Sequence, residues 1–248
     1  MSDPLVSVII PAYNCERFIE ESIKSIFAQS FTNFELIVIN DGSTDSTSKV
    51  IKKMVQNAPE WLINDFIFID RKTNKGCFRS RRQGMELSRA KYVALLDADD
   101  IAIINRFEKQ IRMLENNPEI WCIGGHAIKI FSNGEEGKMW DYPPENHEDI
   151  VKMITKECKN PMIDPTIMFR RNVFDEIGGY SWRYKYLAAD MELWLRSILK
   201  NKKLYNIQEP LIKYRINTEG LTIQNRKNMI KQHMRIWRKF MKQYRKMS

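Results

Sequence analysis

The chain has 248 residues, of which 43% are hydrophobic and 29% charged. That is enough for one sizeable core with a solvated surface, and it excludes a stapled mini-protein, a fibrous protein and wholesale disorder. The net charge of +9 is unevenly placed: no acid follows Glu219, whereas Arg226, Lys227, Lys231, Arg235, Arg238, Lys239, Lys242, Arg245 and Lys246 do, and residues 1–220 hold 31 bases against 31 acids. A basic affinity for nucleic acid can therefore concern only the tail.

Leu5–Ile10 is an apolar, β-branched run that reads as a buried strand, followed by a helix over Glu16–Gln29 with Ile19, Ile23 and Ile26 at helical spacing. Phe34–Ile39 is a second buried strand. It ends in the polar segment Asn40 to Asp45, which suits a helix start, and a helix over Thr47–Gln56 follows. Asp65–Ile69 reads as a third strand, Arg79–Arg89 as a helix, and Tyr92–Leu96 as a fourth strand ending in Asp97-Ala98-Asp99-Asp100. This alternation predicts an α/β fold with a mostly parallel sheet flanked by helices. Ligands in such sheets bind beyond the carboxyl ends of the strands, where each polar cluster falls.

The second half is less regular. Asn105–Asn116 and Leu187–Leu199 read as helices, and Gly178-Gly179 stops another. Ile120–Phe131, Pro165–Arg170 and Leu211–Tyr214 read as strands. Residues 133–164 read as a loop, with Trp140 and Tyr142. No repeat or low-complexity linker divides the chain, so one domain over 1–222, with halves meeting near 104 and 105, and a tail over 223–248 are expected. Cys15, Cys77, Cys122 and Cys158 form no C-x-x-C pair. That argues against a zinc site or disulfide framework and for reduced thiols in a cytoplasmic protein. The first residues lack the features of a signal peptide, and no stretch approaches the ~20 apolar residues of a membrane span.

Asp97 and Asp99, two apart at a strand end, can grip one hard cation, magnesium or manganese, and leave positions open for phosphate oxygens. Such a pair also occurs as a helix cap; its place after the fourth strand favours metal–diphosphate binding. Asp41 can accept from a base N–H or a ribose hydroxyl, although, taken alone, capping of the next helix by Asp41 or Ser43 is the simpler reading and outweighs it. Pro11, Ala12, Tyr13 and Asn14 supply an aromatic ring and free backbone groups after the first strand. Arg79, Arg81 and Arg82 follow Asn74-Lys75-Gly76, and Arg suits bidentate phosphate contacts. Asp190 and Glu192 point to different sides of a helix, so one of them can serve as a general base while the other is structural.

In this order, P-A-Y-N at 11–14, D-G-S-T-D at 41–45, N-K-G at 74–76 with Arg81 and Gly84, and L-D-A-D-D at 96–100 stand in the first half. P-T-x-M-F-R-R at 165–171, G-G-Y at 178–180, A-x-D-x-E-L-W at 188–194 and Y-R at 214–215 stand in the second. The pattern resembles family 2 glycosyltransferases of the GT-A fold over residues 5–222. The resemblance implies an inverting transferase that uses a nucleoside-diphosphate sugar, most often a UDP-sugar, a divalent metal (Mn2+ or Mg2+), and a cell-surface glycan or lipid-linked acceptor. It assigns Pro11, Ala12, Tyr13 and Asp41 to the base and ribose, Arg81 to the base and diphosphate, Asp97 to the ribose, Asp99 to the metal and Asp190 to the catalytic base. Two departures stand out: Asn217 replaces a His that many relatives use at the metal, and Asp164 replaces a frequent His before P-T. Arg79 and Arg82, usually small or polar residues, make the phosphate end more basic.

In the tail, Ile230, Met234, Trp237, Met241 and Tyr244 are spaced 4, 3, 4, 3, with Met229, Ile236 and Phe240 widening the stripe. A basic amphipathic helix of this kind either lies in an anionic membrane interface, making the protein peripheral on an inner membrane face, or packs on the domain or on a second copy. Nucleic acid ranks third, because no recognised binding module accompanies the helix. From another functional class, a catalytically weak nucleotide-sugar-binding protein recruited through the tail fits the loss of the His at 217.

Overall fold

A computed structural model of the chain describes residues 3–181, 183, 188–217 and 226–246. Its first half alternates β1 (Val6–Ala12), α1 (Ile19–Phe27), β2 (Phe34–Asp41), α2 (Thr47–Gln56), β3 (Phe66–Arg71), α3 (Cys77–Leu87) and β4 (Tyr92–Leu95). Strands β1 and β2 run further than their apolar letters, because Pro11-Ala12 and Asn40-Asp41 continue the pairing: Pro11 lies against Ile39 and Ala12 against Asn40. The cluster residues thus sit on the last rungs of the sheet, with rigid backbones.

After β4 come β5 (Ile101–Ala102), α4 (Arg106–Asn116), β6 (Ile120–Ile130), β7 (Glu136–Trp140), α5 (His147–Glu157), a 3-10 turn at Asp164–Thr166, β8 (Met168–Arg170), α6 (Arg171–Ile177), α7 (Ala189–Leu199), β9 (Lys203–Arg215) and α8 (Arg226–Tyr244). The sheet order is β3-β2-β1-β4-β8-β6-β9-β5, with β7 added on β6. Strands β1 to β4 pair in parallel, β8 is antiparallel to both β4 and β6, and β9 returns parallel to β6. The expected mixed α/β sheet flanked by helices is present. Residue 187 and the expected boundary at 222 and 223 lie outside the described residues.

Two expectations change. The loop over 133–164 contains β7 and α5. The signals for α5 were local: Asn146 caps it by accepting from the Asp149 N–H at 3.0 Å, and Ile150 and Ile154, four apart, are buried. The last strand is 13 residues long, where the apolar letters mark only four. The strand accommodates Pro210 by shifting register against β6 between Gly125 and Ala127.

The β-strand alternation builds a core on each face of the sheet. Val6, Val8 and Ile10 of β1 meet α1, α2 and α4 on one face, while Ile9 of β1 with Ile37 and Ile39 of β2 meets α3, α5, α6, α7 and α8 on the other. Arg106 lies fully buried between these layers and donates to the carbonyls of Leu95 at 2.8 Å and Ile167 at 3.1 Å, which ties β4 to the segment before β8. Burial draws its pKa down to about 9, against the pull of Asp100. The tail helix is part of the second core: Ile236 and Phe240 are buried, and Trp237, Met241 and Tyr244 pack beside them. The Trp237 indole donates to the Ile154 carbonyl of α5 at 2.7 Å.

Helix α3 rests on β1 through Gly84, where an added Cβ would stand 2.5 Å from Cγ2 of Ile9. Overpacking of about 1–3 kcal/mol outweighs the ~1 kcal/mol that Ala gains over Gly in a helix. Gly84→Ala should therefore lower the urea midpoint without changing the slope. A raised midpoint would show that α3 can move off the sheet freely.

Candidate active site

The loops after β1 and β2 are clasped together. Asn14, in a left-handed turn at φ 48°, donates its N–H to Ser43 Oγ at 3.0 Å and accepts the Thr44 N–H at 2.8 Å through its side chain. Glu16 accepts from Ser46 N–H at 2.7 Å and Asp45 from Glu16 N–H at 3.2 Å. Asn14 and Asp45 therefore serve the architecture, while Pro11 and Ala12 are buried and Tyr13 emerges beside them 42% exposed. A recess of about 190 Å3 opens here, lined by Asn14, Glu16, Arg17, Phe18, Asp45 and Asn217 among others.

Asp41 is buried and accepts four ways at most from its two oxygens. Three bonds are in place: Arg71 Nη1 at 2.7 Å, the Lys75 N–H at 3.0 Å and the Gly76 N–H at 2.7 Å. It thus pins the Asn74-Lys75-Gly76 loop to the end of β2. Helix capping, the simpler sequence expectation, is not among its bonds. Gly42 is required for this approach, since a Cβ there would stand 2.6 Å from the Thr73 carbonyl carbon.

Arg81 is a buried crosslink. Its guanidinium binds Asp164 on one side and Asp97 at 2.5 Å on the other, and it stacks near the rings of Phe78 at 5.3 Å and Tyr180 at 5.7 Å. Burial opposes its charge, but Asp164 and Asp97 outweigh burial and hold its pKa well above the ordinary value. The Tyr180 hydroxyl donates to the other oxygen of Asp164 at 2.6 Å. Two further arginines position Tyr180: Arg82 donates to the carbonyls of Gly178 at 3.0 Å and Tyr180 at 3.1 Å, and Arg196 to those of Ile177 and Gly179. Arg82 is thus engaged in holding the Gly178–Tyr180 turn, and Glu192 pairs with Arg196 at 2.7 Å, as the structural member of its pair.

The Asp97–Asp100 turn divides its carboxylates. Asp100 is buried, accepts the Arg215 N–H at 2.8 Å and is driven well above the usual carboxyl range by burial and by Asp99. Arg215 donates to the Asp99 carbonyl at 2.8 Å and to Glu21 at 2.5 Å, locking the turn to β9. Asp97 keeps its side chain 31% exposed beside Arg81. Asp99 has no ion-pair partner among the described residues, and burial and the Asp97 charge push its pKa up to about 6. Among the described residues no group of three or more His, Cys, Asp or Glu gathers as a metal cage. Two hard carboxylates in mutual repulsion nonetheless fit an ion such as Mg2+ or Mn2+, which commonly takes one or two protein carboxylates and completes its shell with water and phosphate oxygens.

Asp190 is the second residue of α7, whose cap Ala188 is in the left-handed region at φ 60°. Its carboxylate accepts from the Asn160 side-chain amide at 2.6 Å. Burial raises the Asp164 carboxyl to about 7 against the pull of Arg81, and both Asp190 and Asp97 add to the rise, so the two candidate carboxylates act on one point. An aromatic ladder flanks them. Trp140 of β7 meets Tyr214 at 4.9 Å and Tyr142 at 6.1 Å between ring centroids. Tyr142 is raised to about 12 by desolvation and then by Asp190, and burial followed by Asp100, Asp97 and Asp99 raises Tyr214.

Residues 7–178 match the family described as Glycosyl transferase family 2. The chain belongs to that family. It is 33% identical to the uncharacterised glycosyltransferase MJ1057 of Methanocaldococcus jannaschii over 87% of this chain and 72% of that one. It is 30% identical to the UDP-Glc:alpha-D-GlcNAc-diphosphoundecaprenol beta-1,3-glucosyltransferase WfgD of Escherichia coli over 96% of this chain and 85% of that one. Its fold is shared with S. aureus TarS in complex with UDP (TM-score 0.69, 19% identity). The mannosyltransferase PcManGT of Pyrobaculum calidifontis in complex with GDP-Man and Mn2+ shares it too (TM-score 0.69, 15% identity). This chain covers 94% of its own length in both comparisons and spans 64% of each of those longer chains. The GT-A fold of a family 2 glycosyltransferase is thereby established for it.

Within this transferase the sequence motifs meet at one end of the sheet, but several partners carried no motif. Asn160 has no local signal at all. Trp140 and Tyr142 stood out only as aromatics in a presumed loop, and the bond from Tyr180 to Asp164 joins two segments that no spacing relates.

Asp164 gives a pH test. Its carboxyl ionises near 3.8 in the unfolded chain and near 7 in the fold. Unfolding thus releases a proton in between, so its contribution to stability is full below about 4 and is lost as pH rises through 7. Asp164→Asn, which does not titrate, should flatten the decline of urea stability between pH 5 and pH 8. An unaltered slope would mean that Asp164 stays ionised throughout.

Proposed function

We propose that this transferase moves a sugar from a UDP-sugar to a hydroxyl of a lipid-linked or polysaccharide acceptor, inverting the anomeric carbon. The observation that carries the reading is Asp190: one carboxylate at a helix start, fixed by Asn160 and electrostatically joined to the Asp97–Asp99 turn through Asp164. A single base suits a direct displacement. Asp190 takes the proton of the acceptor hydroxyl as its oxygen bonds to the anomeric carbon. The bond to the nucleoside diphosphate breaks, and its electron pair leaves with the diphosphate.

Pro11, Ala12 and Tyr13 form a rigid shelf with one exposed ring for the base. Asp41 accepts one further bond from the base or ribose while it holds the loop at Lys75 and Gly76. Asp97 receives a ribose hydroxyl with the oxygen that Arg81 leaves. Arg81 acts on the donor through Asp97 and through its own field. Asp99, with Asp97 beside it, would hold a divalent ion, and such an ion supplies positive charge to the departing diphosphate. The Trp140–Tyr142 ladder beside Asp190 offers flat apolar faces to an acceptor sugar. The UDP donor is supported by the names of WfgD and of the TarS complex, and a lipid diphosphate acceptor by the name of WfgD.

Asp190→Asn should lower turnover by about 100- to 10,000-fold. Turnover is read as UDP release from UDP-glucose with a GlcNAc-diphospholipid acceptor, and UDP affinity should stay unchanged. Wild-type turnover in the variant would remove Asp190 from the role of base.

A further inference from the structure

Helix α8 has two faces that the fold treats differently. Ile236 and Phe240 are buried, Trp237, Met241 and Tyr244 are half-buried on the core beside α7 and α5, and Met234 touches Cys158 at 3.5 Å. At about 100° per residue these docked side chains fill one side of the helix. Lys227, Lys231, Arg235, Arg238, Lys239, Lys242, Arg245 and Lys246 fall within an arc of about 120° on the opposite side. All eight are exposed, and none has an ion-pair partner among the described residues. The array runs about 30 Å along the helix. Its middle holds a shallow recess of about 330 Å3 lined by Lys231, Met234, Arg235, Arg238, Lys239 and Lys242.

We propose that this face docks the transferase on an anionic lipid surface. The inference rests on α8 and not on the donor or acceptor reading. A row of cations with no ion-pair partner among the described residues is complementary to a plane of negative headgroups, and the packing of the opposite, apolar face on the core holds that row outward. The helix binds flat through its charges. Its aromatic side chains, which the sequence offered to the membrane interface, are committed to the core, so the attachment is electrostatic and not by insertion. The same commitment disfavours nucleic acid: Trp237, Phe240 and Tyr244 are turned into the protein, which leaves the basic face without a stacking platform for bases. The docked face also lies on the unit that holds Asp190. Helix α8 packs on α7, which carries that residue in its first turn, and Met234 touches Cys158, two positions before Asn160, the partner of Asp190.

The test is co-sedimentation of the full chain with phosphatidylglycerol-containing vesicles and with pure phosphatidylcholine vesicles, at low and at high salt. Binding should require phosphatidylglycerol and fall steeply with salt, as exposed charges are screened. Reversal of four charges (Lys231→Glu, Arg235→Glu, Arg238→Glu and Lys242→Glu) should weaken partitioning by roughly 1000-fold or more, with the circular dichroism spectrum unchanged. The lipid and salt dependence of the wild-type chain stands as a test even where the variant misfolds. Absence of binding to phosphatidylglycerol, equal binding to neutral vesicles, full binding by the folded variant, or tighter binding to duplex DNA or RNA at the same salt would each overturn the proposal.

Discussion

The buried guanidinium of Arg81 joins three parts of the chain at the candidate site: α3 which carries it, the turn after β4 through Asp97, and the 3-10 turn before β8 through Asp164. A charge this deep is tolerable only while both carboxylates remain beside it, and loss of one partner from such a group costs about 3–5 kcal/mol. The surrounding structure is arranged to keep them there. Tyr180 holds Asp164, the Gly178–Tyr180 turn is held by Arg82 and Arg196, and Arg196 is steadied by Glu192 of α7. Helix α7, with Asp190 in its first turn, is thereby linked, bond by bond, to the strand end that carries Asp97 and Asp99.

That linkage gives neighbouring carboxylates different tasks. Asp100 is turned into the protein and fastened to the backbone of Arg215; Asp41 is spent on a loop; Asp164 shares the charge of Arg81. Asp97 and Asp99 remain at the mouth with acceptor capacity, and Asp190 faces the same region held by one amide. Burial and like-charge repulsion distinguish these groups more than their residue type does. Asp164 illustrates it. Where family resemblance leads one to expect His, a carboxyl raised to about 7 still titrates near neutrality.

Much of this was legible in the letters because it is local. The strands of the first half are short, mainly apolar runs, and each ends in a polar cluster that the parallel sheet brings to one edge, so the place of the candidate site could be read from topology. What could not be read is what depends on contact between distant segments. Arg81 looked like a phosphate ligand because its letters show a cation after a loop; its burial between Asp97 and Asp164 is a tertiary fact. Asp41 looked like a cap or a ribose ligand, and its three bonds reach across 30 residues or more. In the tail the helical stripe was plain, but periodicity does not say whether an apolar face meets a bilayer or the protein's own core, and here it meets the core. The 13-residue β9 extends well before the four apolar letters at Leu211–Tyr214, because its pairing with β6 shifts register around Pro210.

The end of the sheet between Tyr13 and Asp99 is proposed to receive a nucleoside diphosphate. The decisive experiment is titration calorimetry of UDP into the full chain, with Mn2+, with Mg2+ and with chelator. Binding of one UDP per chain that needs the divalent ion and disappears in Asp99→Ala is the predicted result. Absence of binding by UDP, GDP and CDP under all three conditions would contradict it.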